Sequence, residues 1–138
     1  MRYLSIVFIF YFVSAASWAQ EKREYVKLPE HMQSHMLGNM RDHLAALAEA
    51  SQLMANQKWD KASDVIERRI GMSSLEAHGA DHMAKFMPKP MREMGTEMHR
   101  SASRLARSMQ EEDPQLIFKN FSNVMTRCNA CHVQYRVK

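Results

Sequence analysis

Two cysteines and a histidine stand together in "CNACHVQYR", residues 128–136, and these are the only two cysteines in the chain. On a helix, Cys128 and Cys131 lie one turn apart, and His132 follows at the edge of the same face. Two thiols so spaced reach the two vinyl groups on one side of a porphyrin, and the imidazole of the next residue comes under the iron. C-x-x-C-H is for that reason a c-type haem attachment signature, with the histidine as proximal iron ligand. A redox-active disulfide fits less well, because such motifs follow a strand at a helix N-terminus and the sequence shows no strand pattern. A structural zinc site would need further Cys or His ligands at suitable spacing.

The rest of the ligating chemistry is methionine and histidine, 13 and 7 residues respectively. "LPEHMQSHMLGNMRDHL" sets Met32, Met36 and Met40 four apart and interleaves His31, His35 and His43. "HGADHM" and "MREMGTEMH" are the other dense patches. His31 with His35, and His78 with His82, stand at i, i+4, where two imidazoles can share a metal; thioether plus imidazole suits copper. Against that reading, a methionine stripe at helical spacing also serves as core.

The elements that must position these groups are helices. Gly and Pro number four each, and no run alternates apolar and polar residues, which gives an all-α composition. One helix is expected from Pro29 to Asn56, with Met36, Met40, Leu44, Leu47 and Met54 inward. A second is expected over Trp59–Ile70, stopped by Gly71. Ser73 with Glu76 has the form of a capping box, predicting a short extra helix to about Met87. Pro90 to about Glu111 carries the stripe Met91, Met94, Met98, Ala102, Leu105, Met109. "DP" at 113–114 opens the last helix, expected to reach Val137, with Ile117, Phe121, Val124, Cys128, Cys131 and Tyr135 on its seam. The prediction is an up-down-up-down four-helix bundle with an extra short helix between helices 2 and 3. In that order the haem end of the last helix lies beside the N-terminal half of the first.

The opening "MRYLSIVFIFYFVSAASWAQ" reads as a signal peptide over residues 1–19. Arg2 precedes an apolar run from Tyr3 to Val13, and Ser17 and Ala19 hold the −3 and −1 positions of a cleavage site. Residues 20–138 then form a single haem c domain in the periplasm, with no membrane span after processing. The net charge of +4 is mild and scattered, so no nucleic-acid partner is expected.

With its C-terminal "CNACHVQYR", its helix count and its leader, the chain resembles the class II c-type cytochromes, cytochrome c′ and its low-spin relatives. The resemblance is architectural over residues 20–138 and motif-specific only in the last helix. It implies one covalent haem c held by thioethers from Cys128 and Cys131, with His132 on the iron and Arg136 in contact with a propionate. It implies one-electron transfer with redox partner proteins and no enzyme activity, and family members often form homodimers through the first two helices. Low-spin members place a methionine on the iron, for which Met36 is the candidate and Met40 the alternative. Cytochrome c′ leaves that position open to NO or CO, a five-coordinate reading that stands beside the first. A Met/His-rich periplasmic copper-binding protein is the further alternative. The polar, ordered-looking segment 71–90 and the high Met and His content depart from the family.

Overall fold

A computed structural model describes residues 21–138; the expected leader and its cleavage site lie outside the described residues. The described chain is mostly helical, with five α-helices and almost no sheet, which bears out the all-α class. The helices are α1 (Glu30–Ala55), α2 (Trp59–Arg69), α3 (Ala80–Ala84), α4 (Lys89–Ser108) and α5 (Pro114–His132). Short 3-10 turns occupy Met72–Ser74 and Met109–Glu111. The helix starts follow from the local sequence. Asp113 caps α5, its carboxylate accepting from the Gln115 and Leu116 N–H groups at 2.9 and 3.4 Å, and Pro114 fills the first position, where no amide is needed.

Three expectations are corrected. The segment after Gly71 is not one helix to Met87. Ser73 turns its amide and hydroxyl to the Glu67 carboxylate instead of capping, and Gly79 takes a left-handed conformation at φ 61°, so the only α-helical stretch is the five residues of α3. The last helix stops at His132, not Val137, because the chain turns there to pair with the N-terminal segment. β1 (Glu24–Tyr25) and β2 (Tyr135–Arg136) form a two-residue parallel ladder, Glu24 opposite Tyr135 and Tyr25 opposite Arg136. Such a pair is too short to show in any sequence alternation. Finally, Leu44 is 67% exposed; the buried stripe of α1 runs through Met36, His43, Ala46, Leu47, Ala50 and Met54.

Apolar burial falls in two places. The main core gathers Leu47 and Met54 of α1, Ile66 of α2 with Ile70 just after it, Leu105 of α4, Met109, and Ile117 and Val124 of α5, with Phe121 and Cys128 packed against it. A smaller cluster joins Val26, Leu28, Met36, Met83, Met91 and Tyr135, with Cys131 and Val137 at its margin. Arg69 at the end of α2 ties it to α1, its Nε donating to both Asp42 carboxylate oxygens at 3.1 Å and Nη1 to Glu49 at 2.8 Å.

Candidate functional site

A cavity of about 600 Å³ opens beside the smaller cluster, within the range of small-molecule and cofactor clefts. Its position follows from the clasp between the two ends of the described chain. The Glu24 N–H donates to the Gln134 carbonyl at 2.7 Å and the Val26 N–H to that of Arg136 at 2.8 Å. The Gln33 side-chain amide donates to the Val137 carbonyl. These bonds tie the segment before α1, and Gln33 in the first turns of α1, to the residues that follow α5.

The cavity unites most of the residues singled out by the sequence. Cys131 and His132 border it from the end of α5, Met36 and Met40 from α1, and Arg136 from β2. Met36 is buried and Met40 half-buried. His132 is exposed overall, one edge forming part of the wall. Cys128, one turn back, is not in the wall: it packs on the main core while Cys131 packs on the smaller cluster. Phe121 and Val124, on the expected seam of the last helix, belong to the main core and Leu44 is exposed, so none of the three borders the cavity.

Both cysteines are free thiols, and burial pushes both above the ordinary thiol value, with the neighbouring Cys128 adding to the rise at Cys131. They sit in the last turns of α5, where the helix dipole also disfavours a thiolate. Thiol–disulfide enzymes need the reverse, a depressed pKa at a helix N-terminus.

Arg136 is the cationic group of special interest. Its guanidinium carbon lies 4.9 Å from the Tyr25 ring centroid, yet its Nε is buried without a hydrogen-bond partner among the described residues. A buried unpaired donor is costly, at about 1–3 kcal/mol, and an anion entering the cavity would relieve it.

A second group on the same wall escaped the sequence reading. His43 of α1, His78 of the 71–79 segment and His99 of α4 converge, each offering one ring nitrogen within 4.8 Å of the others. The rings pack at centroid separations of 4.8 to 5.6 Å. Burial lowers all three pKa values, His43 to about 4 with further depression from His78 and His99, so the rings are neutral at pH 7. The pairs expected at i, i+4 are not the ones assembled. His31 and His82 are exposed, and the His35 Nε2–H donates to the His78 carbonyl at 3.0 Å. One signal was available: His43 falls on the buried stripe of α1 at four before Leu47 and seven after Met36.

Compared with known proteins, the chain matches no family model, no curated protein sequence and no solved structure.

Proposed function

We propose that the chain is an exported mono-haem c-type cytochrome that carries single electrons. The observation that carries this reading is the meeting of Cys131 and His132 with Met36 and Met40 around one largely apolar cavity of about 600 Å³. The haem c would be bound through Cys128 and Cys131, with His132 and Met36 as the residues that would ligate its iron. When bound, such a group supplies reversible one-electron chemistry.

The donor set suits that group in kind. Thioether and imidazole are the haem ligands of electron-carrying cytochromes, and the unpaired Arg136 Nε offers a charge-assisted hydrogen bond to a propionate. Cys128 packs toward the main core, so its bonding requires a side-chain rotation toward the cavity. The buried methionines and Tyr135 exclude water from the cofactor's edge and keep its surroundings nearly fixed as charge changes. The finer architecture belongs to the same proposal. It is an up-down-up-down four-helix bundle, α3 being the insertion, that acts in the periplasm after removal of residues 1–19 and meets redox proteins as partners.

The test is an absorption spectrum, oxidised and reduced, of protein made in cells with a working haem c attachment system. The expected result is covalently bound haem, lost in Cys128→Ala/Cys131→Ala, with a six-coordinate low-spin spectrum. A weak methionine-to-ferric-iron band should vanish in Met36→Ala and persist in Met40→Ala. A high-spin spectrum that shifts with carbon monoxide would replace the electron carrier by a five-coordinate gas binder. Colourless protein would end the haem reading altogether.

A further inference from the structure

The three converging imidazoles call for an occupant of their own. We infer that His43, His78 and His99 form a second metal site, for a first-row divalent ion of the kind that prefers imidazole, copper ahead of zinc. The site does not depend on the cysteines and stands whether or not haem is attached.

Each ring is held by hydrogen bonds. His99 Nδ1–H donates to the Ile70 carbonyl at 2.6 Å, which fixes the tautomer and leaves Nε2 with a free lone pair. A ligating histidine characteristically anchors its other nitrogen in this way, on a backbone carbonyl. His78 is held through its own carbonyl, which accepts from Asn39 Nδ2 and His35 Nε2, both at 3.0 Å. The Ser74 hydroxyl gives its hydrogen to the Gly71 carbonyl at 2.7 Å, so at 3.3 Å from His78 Nδ1 its oxygen can only accept. His78 Nδ1 is therefore protonated in the metal-free site, and His43 Nε2, 3.4 Å away, presents its lone pair to it.

That 3.4 Å separation is close to what a tetrahedral ion demands, because bonds of about 2.0–2.1 Å place neighbouring nitrogens roughly 3.3 Å apart. The widest of the three separations, 4.8 Å at most, closes by about 1.5 Å through side-chain rotation toward a shared ion. On binding, the His78 proton moves from Nδ1 to Nε2, so the ring stays neutral and no charge is buried beyond that of the ion.

Burial supplies the second reason. All three rings are under one-tenth exposed, and three imidazoles sharing one pocket repel one another if protonated. Their mutual hydrogen bonds satisfy only part of their capacity, while a cation satisfies three lone pairs at once. Three protein ligands also leave a fourth coordination position for water or another ligand, and all three residues border the cavity. Met98, adjacent in sequence to His99, borders the same cavity, and among divalent ions an imidazole site of this kind holds Cu²⁺ more tightly than Zn²⁺.

The experiment titrates Cu²⁺, and separately Zn²⁺, into the full processed chain and into Cys128→Ala/Cys131→Ala, followed by calorimetry. One tight equivalent is expected in both proteins, and the Cu²⁺ electron paramagnetic resonance spectrum should carry splitting from three nitrogens. His43→Gln, His78→Gln and His99→Gln should each weaken binding at least ten-fold, while His31→Gln and His82→Gln leave it unchanged. The nitrogen splitting of the unaltered protein decides the matter even if a buried-histidine variant fails to fold. Fewer than three coupled nitrogens, or affinity that falls equally with His31→Gln and His82→Gln, would overturn the site. Loss of binding only in the cysteine variant would also overturn it, by assigning the metal to the thiols. Haem attachment is read separately from the visible spectrum, so the failure of either proposal leaves the other testable.

Discussion

Glu67 shows how one side chain can organise a turn that sequence patterns misread. Partial burial works to raise its pKa, but hydrogen bonds from the Ser73 hydroxyl at 2.6 Å and amide at 3.2 Å, with help from Ser103, hold it below the usual carboxylate value. A carboxylate depressed by folding contributes stability above its unfolded pKa of 4.5 and loses it as pH falls through the lower folded value. Glu67→Gln should therefore lower the melting temperature at pH 7 and flatten its acid dependence below about pH 4.5; parallel melting curves for the two proteins across that range would refute this. The same side chain constrains its neighbour, since a Cβ on Gly71 would meet the Glu67 backbone carbonyl at 2.7 Å. At this scale the sequence was legible where chemistry is local. Cys131 and His132 share a cavity wall, as their adjacent places in the motif lead one to expect, although Cys128, three residues earlier, is not in it. His43, His78 and His99 come from three separate segments, and no spacing rule joins them.

Among the elements, the helices with clear apolar stripes and proline starts were readable to within a few residues; the segment between α2 and α4 was not. Its capping-box pattern, Ser73 with Glu76, was genuine in form, but the Ser73 side chain has a better partner in Glu67, and tertiary contact decided. Gly79 was a visible irritant in that pattern, and it is the residue that breaks the helix. Its φ of 61° is one that an L-residue adopts only at a cost of about 1–2 kcal/mol, and a Cβ there would lie 3.3 Å from His35 Nε2. His35 and Gly79 flank the His78 carbonyl, so strain at Gly79 is passed directly to the imidazole cluster. Gly79→Ala should destabilise the protein by about 1–2 kcal/mol in denaturant unfolding and weaken Cu²⁺ binding, while Gly38→Ala, which has open space around it, should do neither. Equal effects of the two substitutions would mean that the left-handed turn is not what holds His78.

The molecule as a whole divides its labour between two apolar clusters. The main core, from Leu47 to Val124, is built by helix stripes and was anticipated as such. The smaller cluster is completed by the pairing of β1 and β2, which brings Val26 and Leu28 from one end of the described chain to Tyr135 and Val137 at the other. A two-residue parallel ladder contributes little by its own hydrogen bonds; its effect is to close the wall in which Tyr135 and Arg136 stand. Deleting residues 134–138 should accordingly leave the main core folded while opening the cavity. By hydrogen exchange, the Glu24 and Val26 amides, which donate to Gln134 and Arg136 in the intact chain, should exchange at unprotected rates. Amides of α2 and α4 should keep most of their protection, because none of the lost contacts reaches Ile66 or Leu105. If protection collapses throughout, the clasp and the core are one cooperative unit, and the cavity wall cannot loosen without unfolding. If only the clasp is lost, the cavity can admit a large group by a local opening that costs far less than global unfolding.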